Sequence, residues 1–391
     1  MTFQNTKGIP FWMKAVGIVC LLAAAWTVGN RCQTADLTPV YQRLYGGADN
    51  FEPSGPVVNA MRDGETLGLL AQGQAVGYGG TLQLVVAADS SGRVRKVEVV
   101  RHAETPAFLY RVNRDPRFRA LRNKSIADAW TAGQDLDIVS GATYTSKAYI
   151  EASRMACQKL ANVLYGTPIP KPSSAPWGFD LAEMLLITLF GMGLLARGPL
   201  KKQAKLLRWA SMLAGLAGLG FWLNRPLTLG WISRLLMGQF PALPGHLYWY
   251  LLIGGIVLLT LIEGFNPYCD WFCPFGAAQE CLAQVGRSKK RLSRRVDRML
   301  RTGQALVALG AIALALILRN PTATSYEIFG TLFRRIGSPW QFALLGVVLV
   351  VSLFWRRPWC AYLCPLRPVT NALKTTRQAV FKSGKSPEPP R

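Results

Sequence analysis

The chain has 391 residues, half of them hydrophobic, yet 45 lysines and arginines against 21 acidic residues give it a formal net charge of +24. Its length allows two or three domains. The basic residues cluster between apolar segments instead of covering a soluble surface, which argues against a nucleic-acid-binding protein and for a membrane protein. Eight cysteines are too few and too dispersed for a disulfide scaffold. Metal ligation fits them better.

An apolar segment opens the chain. It runs from Ile9 to Val28 and is interrupted by Lys14. This pattern predicts a transmembrane signal anchor over residues 1–30. A cleaved signal peptide is the alternative, because the small residues Ala23 to Ala25 lie near its end. With either interpretation, the sequence that follows is expected to be exported.

The next segment, residues 31–172, is less hydrophobic and has the pattern of a soluble α+β domain. Two stretches, GYGGTLQLVVAAD and VRKVEVVRH, predict strands joined by a turn at Gly92. Apolar residues then recur at helical spacing from Ala148 to Leu164. The prediction is therefore an exported α+β domain joined to an all-α polytopic membrane domain.

The membrane domain is predicted over residues 173–365, with a polar cytoplasmic tail over residues 366–391. Its five apolar spans are Leu181 to Leu195, Leu206 to Leu223, Leu247 to Ile262, Ala305 to Leu318 and Phe342 to Trp355. Several are short for a hydrocarbon core of roughly 30 Å, so we expect flanking residues to extend them. With the N-terminal segment, the total is about six transmembrane helices.

The basic loops predict the orientation of these spans. Lysines and arginines cluster between the second and third spans, between the fourth and fifth, and after the sixth. The positive-inside rule places these regions in the cytoplasm of a bacterial inner membrane and residues 31–172 on the periplasmic side. Two outer loops, near Gly230 to Leu243 and Ser325 to Pro339, are expected to be interfacial helices without assigned chemistry.

Two matching motifs supply four cysteines at the predicted inner surface. They read CDWFCP from Cys269 to Pro274 and CAYLCP from Cys360 to Pro365. A Cys-x3-Cys-Pro run is similar to the end of bacterial ferredoxin cluster motifs. Together, Cys269, Cys273, Cys360 and Cys364 could ligate one [4Fe-4S] cluster if the two motifs are neighbours. The alternatives are two dithiols, half-sites completed by a partner, or buried thiols that pack as small hydrophobic groups.

A hydroxyl-rich turn, DIVSGATYTS from Asp137 to Ser146, precedes the predicted helix. Helix N-termini attract phosphate through free N–H groups and the macrodipole. Taken alone, the turn is typical of an ordinary helix start.

The SGATYT sequence in this turn resembles the covalent flavinylation site of FMN-binding domains in the sodium-pumping quinone reductase and Rnf complexes. The resemblance implies a phosphoester between FMN and Thr145, with Thr143 as the second candidate, and a loop shaped by Ser140, Gly141, Ala142 and Thr143. The upstream HAETPAF segment resembles a second part of that domain, where Glu104 and Thr105 would approach the flavin. A flavin transferase partner is also implied.

The order of these features resembles the NosR/NirI family and the PceC-type proteins, and the chain resembles the short PceC-like form. The resemblance implies electron transfer between a quinone or cytoplasmic donor and an exported redox partner, without an independent small-molecule substrate. Electrons would have to cross a hydrocarbon core of roughly 30 Å, which requires an intermediate carrier. Bis-histidine haem is disfavoured because His102 and His246 are the only two histidines. A bound quinone, a second flavin and a partner subunit are the candidates for this carrier. His246 could contact quinone or cap its helix. A redox-sensing regulator and a dithiol assembly factor are the alternative functions.

Overall fold

The computed structural model describes residues 11–31, 36–119, 121–166, 168, 179–241, 243–288, 292–322 and 324–382. The chain divides into two compact units. The first contains Met1–Ser174, Gly230–Phe240 and Ile312–Ser325, and the second contains Ala175–Leu229, Pro241–Ala311 and Tyr326–Arg391. The predicted boundary after residue 172 and the end of the predicted tail, residues 383–391, lie outside the described residues, so the proposed domain limits stay predictions.

A five-stranded antiparallel sheet forms the centre of the first unit, and its strands pair in chain order. The strands are β1 (Asn50–Ser54), β2 (Val57–Arg62), β3 (Glu65–Val76), β4 (Thr81–Asp89) and β5 (Val94–His102). The predicted strand pair is confirmed as β4 and β5, and Gly92 in the connecting turn has a φ of +79°. That left-handed conformation favours glycine, which has no Cβ to clash. The predicted N-terminal sheet domain is therefore confirmed.

Helices cover both faces of this sheet. Helix α5 (Thr143–Tyr165) packs against β3 and β4, and a Cβ at Gly73 would meet the backbone of Ala152 in that helix. On the other face, α2 (Thr38–Leu44) and the adjoining Tyr45 pack on a cluster that includes Leu70. Because strand residues alternate between faces, Gly73 and Leu70 point to opposite sides. The sheet is thus a buried layer that holds α5 in place.

The remaining helices of the first unit flank the sheet or come from distant parts of the chain. They are α1 (Phe11–Arg31), α3 (Pro106–Arg114), α4 (Pro116–Arg119), most of α8 (Leu229–Leu236) and the end of α11 (Arg294–Leu318).

The second unit is helical in the part of the chain that the structure describes. Its other α-helices are α6 (Leu181–Leu195), α7 (Ala204–Ala214), α9 (Leu243–Ile262), α10 (Pro274–Val285), α12 (Phe329–Arg334), α13 (Pro339–Phe354), α14 (Pro358–Tyr362) and α15 (Leu366–Lys382). Lys201–Gln203 forms a 3₁₀ turn, whereas Gly215–Trp222 and Tyr268–Phe272 form π-helices.

Within the described ranges, three helices are long and apolar enough to cross a membrane, namely Trp12–Arg31, Gly245–Ile262 and Arg294–Leu318. Two shorter apolar helices, Leu181–Leu195 and Pro339–Phe354, coincide with further predicted spans. The predicted span from Leu206 to Leu223 falls across α7 and the π-helix that follows it. The structure therefore supports a membrane protein but does not confirm the count of six.

Close packing at Gly215 helps to position the first cysteine motif. This glycine lies where α7 passes into the π-helix, and a Cβ there would meet the backbone of Phe272. Phe272 lies between the two cysteines of CDWFCP and is fully buried. The glycine therefore allows the helix backbone to approach the motif directly.

Candidate flavin and cysteine sites

The carboxyl group of Glu104 connects three parts of the first unit. Glu104 follows β5 and is only 2% exposed. Its Oε2 accepts a hydrogen bond of 2.5 Å from the Thr145 hydroxyl, and its Oε1 accepts one of 3.0 Å from the Gly79 N–H. A Cβ at Gly77 would collide with this carboxyl group. The glycine-containing β3–β4 turn therefore leaves the space in which Glu104 meets Thr145.

Burial raises the pKa of Glu104, and the hydrogen bonds from Thr145 and Gly79 and the positive charge of Arg234 partly oppose this effect. A carboxylate in water is a weak base, and removing it from water makes it a stronger proton acceptor. Glu104 is thus placed to accept a proton from the Thr145 hydroxyl.

The two candidate acceptor threonines differ in exposure. Thr143 is the first residue of α5 and is exposed, whereas Thr145 lies two residues further on and is 1% exposed. Its solvent exposure favours Thr143 as the flavin acceptor, whereas the hydrogen bond to Glu104 favours Thr145. A transferase that modifies Thr145 would therefore need the preceding turn to open.

The predicted loop residues form that turn. Ser140 and Gly141 are exposed, Ala142 is buried, and Gly141 has a φ of +76°. The Ser146 hydroxyl donates to the Ala142 carbonyl at 3.0 Å and accepts from the Val139 N–H at 3.2 Å. These bonds fix the turn against the first residues of α5, whose N–H groups have no partner within the helix.

Thr105 lies next to the carboxyl site and begins α3. It is half-buried, and its carbonyl accepts hydrogen bonds from the N–H groups of Phe108 and Leu109. The structure therefore places Thr105 beside Glu104 as the residue that starts the helix.

Arg234 is a functional candidate that the sequence analysis missed. It is 1% exposed, donates to the Tyr78 carbonyl at 3.0 Å, and stacks over the Trp231 ring at 4.1 Å. Its charge also acts on Glu104. The signal in the sequence was a single arginine inside the apolar octet LGWISRLL. A buried arginine needs a partner, and the partner here belongs to the flavin candidate site.

Aromatic rings border the same region. Tyr78 makes an edge-to-face contact with Phe108 at 5.7 Å and a tilted contact with Tyr144 at 6.3 Å between ring centroids. Such rings present large flat surfaces with defined stacking geometry. The surroundings of Thr145 therefore combine a helix N-terminus, a buried carboxyl group, arginine charge and aromatic surface, a set that suits FMN.

The second unit brings the two cysteine motifs together. Gln279 of α10 donates to Cys360 Sγ at 3.3 Å and accepts a hydrogen bond of 2.9 Å from the Trp359 N–H. Arg357 Nη1 donates to the Cys269 carbonyl at 3.0 Å. Side chains near each motif thus contact the other motif, although the two lie about 90 residues apart along the chain. A shared cluster was predicted only if the two motifs are neighbours, and in the structure they are.

The four thiols share one environment, in which Cys273 and Cys364 are buried and Cys269 and Cys360 are half-buried. Burial raises the pKa of all four, and the pKa of Cys364 is raised further by the negative charges that Cys360, Cys269 and Cys273 would carry. Among the described residues, no three acidic, histidine or cysteine side chains are close enough for one metal ion. A cluster spreads its four thiolates over separate iron atoms, so it tolerates wider spacing than one ion does.

Arginine charge compensates these thiols. The charge of Arg357 opposes the pKa rise at Cys273 and Cys360, and Arg367 adds to this at Cys360. Arg367 also donates to the Cys360 carbonyl at 3.1 Å. Buried anions need paired charge. Four thiols with adjacent guanidinium groups therefore fit an iron-sulfur cluster, which is anionic when four thiolates hold it.

Glu280 holds the arginines beside the motifs. It is 1% exposed and pairs with Arg357 at 2.6 Å, with Arg208 at 3.6 Å, and with Arg356. Burial alone would raise the pKa of Glu280, but these three arginines lower it below its usual value. The carboxylate is therefore charged and links α10 to the segment before CAYLCP.

Comparison with known proteins assigns a different matched domain to each of the two candidate sites. Residues 77–158 match an FMN-binding domain, a range that includes Glu104 and Thr145. Residues 246–293 and 338–373 match a 4Fe-4S binding domain, and both cysteine motifs lie within these ranges. An FMN-binding domain together with a 4Fe-4S binding domain is consistent with a NosR/NirI-like flavoprotein. The predicted family resemblance is thus confirmed at this level.

Three curated relatives are similar to parts of this chain. It is 32% identical over 114 residues to Regulatory protein NosR of Stutzerimonas stutzeri, covering 27% of this chain and 16% of that protein. It is 28% identical over 202 residues to Protein NirI of Paracoccus denitrificans, covering 47% and 28%. It is 29% identical over 113 residues to one component of the proton-translocating ferredoxin:NAD(+) oxidoreductase complex of Clostridium ljungdahlii, covering 27% and 60%.

The chain thus spans less than two thirds of the length of each of these relatives. Within that limit, the two matched domains and the relative from an oxidoreductase complex support electron transfer as the activity. The apolar helices and the NosR and NirI relatives indicate a membrane protein.

The Glu280 network generates a stability prediction. Glu280→Gln removes the negative partner of the largely buried Arg357, and we expect it to lower the free energy of unfolding by about 3–5 kcal/mol. Thermal unfolding of the purified chain in detergent measures this loss. The matched control, Glu151→Gln, breaks a half-buried surface pair with Arg154 and should lose only about 0.2–1 kcal/mol.

The stabilising contribution of Glu280 should decrease as the pH falls. Because the folded pKa of Glu280 is depressed, its contribution is complete above the unfolded pKa of about 4.3 and is lost as the pH falls through the lower folded value. The difference between the wild type and Glu280→Gln should therefore shrink as the pH falls below about 4. A difference that is equal at pH 7 and at acid pH would contradict the assignment.

Proposed function

We propose that this chain is a membrane-bound electron-transfer protein that carries FMN covalently on Thr145 and one [4Fe-4S] cluster on Cys269, Cys273, Cys360 and Cys364. The proposal is supported by the proximity of key candidate residues within each matched range. Thr145 meets Glu104 within the FMN-binding range, and four thiols share an arginine-compensated site within the 4Fe-4S range.

FMN would supply one- and two-electron chemistry at this site. The chain's own residues would create the attachment. In the transfer, the Thr145 oxygen would form a bond to the FMN phosphorus while the phosphoanhydride bond of a flavin dinucleotide donor breaks and a nucleoside monophosphate leaves. The Thr145 hydroxyl loses its proton in this step, and Glu104 Oε2 lies 2.5 Å from that oxygen to accept it. Arg234 would keep positive charge near the carboxyl group while it gains and loses the proton. Attachment also requires a flavin transferase as partner.

The partners and sidedness follow from the proposed topology. Basic loops at the cytoplasmic surface would place the cysteine site inside and the FMN-binding domain on the periplasmic side. Electrons would then pass between a quinone pool or a cytoplasmic donor and an exported redox protein. His246 interrupts the regular helical geometry of α9 and remains a candidate contact for quinone.

The second candidate function is a redox-sensing regulator. One observation favours it, namely that a similar protein carries the name Regulatory protein NosR. In that case the flavin would report redox state instead of passing electrons onward. A dithiol assembly factor is the third candidate, and its purified form should contain no iron. The cofactor measurements below separate the third candidate from the first two.

The flavin assignment predicts a single attachment position. After co-expression with a flavin transferase, mass spectrometry of the wild-type chain should find FMN on the peptide that contains Thr145. Thr145→Val should abolish the adduct because valine has no hydroxyl. The matched control Thr143→Val should retain it. Loss in Thr143→Val with retention in Thr145→Val would move the site to the exposed threonine.

The cluster assignment predicts which thiols hold iron. Cys273→Ser should lose most of the iron and the sulfur-to-iron absorption of anaerobically purified protein, because one of four ligands is removed. Cys281 lies in α10, the helix that begins directly after Cys273, and is outside the motif. Cys281→Ser should therefore keep the wild-type iron content. Equal iron in all three proteins, or none in the wild type, would contradict cluster ligation by the motifs.

A further inference from the structure

A cavity of about 420 Å³ lies in the first unit at the end of the sheet, beside residues that come much later in the chain. Strands β3, β4 and β5 supply Gln74, Gln83, Arg101 and His102, and the later segments supply Gln239 and Arg319. Met155, Met237 and Phe240 add apolar surface. Arg101 and His102 lie within the range matched by the FMN-binding domain, but Thr145 is not among the lining residues.

The cavity concentrates positive charge. Arg101 and Arg319 both line it, whereas no aspartate or glutamate occurs among its described lining residues. Burial lowers the pKa of Arg319, and the positive charge of Arg101 lowers it further. Two guanidinium groups near each other, with no counter-ion in the lining, are electrostatically unfavourable. An anion between them would remove that repulsion.

The hydrogen-bonding groups also indicate a missing acceptor. Nε and Nη1 of Arg319 are buried without a hydrogen-bond partner in the described part of the chain, and so is Nδ1 of His102. Arg319 stacks near the Trp26 ring at 6.0 Å, a contact that does not use these donors. Buried donors in folded proteins are nearly always paired. A group with several acceptor oxygens would pair them.

Arg101 is already oriented for such a group. Its Nη2 donates to the Leu318 carbonyl at 2.8 Å, so one end of the guanidinium is fixed to the end of α11. The remaining N–H groups of the planar fork match the paired oxygens of a phosphate. Arg319 follows Leu318 directly and has a φ of +52°, and both arginines line the same cavity.

The position of the cavity suggests the source of the anion. Arg319 follows the last residue of α11, and Trp26 belongs to α1, both helices with the length and apolarity of membrane spans. A Cβ at Gly29 of α1 would meet the backbone of Leu316, so the two helices touch near these ends. The end of a membrane-spanning helix lies at the level of the lipid head groups.

We infer that Arg101 and Arg319 form a binding site for a phosphate-bearing anion, supplied by an anionic membrane lipid. The phosphodiester would lie between the two guanidinium groups, and the apolar wall of Met237 and Phe240 would contact an acyl chain of the lipid. Thr145 does not line this cavity, so the proposal does not depend on the FMN attachment. Soluble phosphate presents the same oxygens and is the alternative source.

Native mass spectrometry of the purified, delipidated full chain in neutral detergent tests the site. Phosphatidylglycerol, phosphatidylcholine and inorganic phosphate are added in separate titrations. We expect phosphatidylglycerol to bind at least about tenfold more tightly to the wild type than to Arg319→Gln, because one charged hydrogen-bonding group is lost. Arg319→Lys should retain part of the affinity, since it keeps the charge but not the fork.

The matched control is Arg62→Gln, which removes an exposed arginine of the same unit away from the cavity and should leave lipid affinity unchanged. Binding of inorganic phosphate that depends on Arg319 would support the site and assign it to the soluble anion. Thermal unfolding of each variant shows whether it is folded. Equal phosphatidylglycerol binding by folded Arg319→Gln and wild type, or no preference over phosphatidylcholine together with no phosphate binding, would overturn the inference.

Discussion

The contact between the buried carboxyl group of Glu104 and the Thr145 hydroxyl is the interaction on which the flavin site depends. It joins the end of β5 to the start of α5, and the Gly79 N–H holds the other carboxyl oxygen. Burying a carboxyl group is unfavourable unless its oxygens have hydrogen-bond partners. The turn, the helix and Arg234 therefore have to be in place together, so the fold of the sheet domain determines the chemistry available to Thr145.

The cysteine site also has to stabilise negative charge away from water, but here the charge belongs to thiolates. Four thiols that become thiolates introduce negative charge into a buried region, and Arg357 and Arg367 supply the opposite charge. Glu280 in turn fixes Arg357 through a direct ion pair. Each site thus pairs a buried acidic group with an arginine that is distant in the sequence. In both cases the arginine tunes proton affinity where a redox cofactor would be held.

The sequence predicted features that depend on local pattern. Alternating residues identified β4 and β5, and the Cys-x3-Cys-Pro spacing identified two motifs that the structure brings into contact. It could not predict features that depend on distant segments. Arg234 is buried because Tyr78, about 150 residues earlier, accepts its hydrogen bond. The π-helix after Gly215 likewise packs on Phe272, so hydropathy alone predicted a regular span there.

The most direct test of the role of Glu104 is the initial rate at which a flavin transferase incorporates FMN into purified Glu104→Gln compared with the wild type. The Gly79 N–H requires an oxygen opposite it, so glutamine would turn its NH₂ group toward Thr145 and could no longer accept the hydroxyl proton. We expect a rate at least about a hundredfold lower, the usual effect of losing a general base, with unchanged thermal stability. A rate equal to that of the wild type in a folded variant would contradict this role.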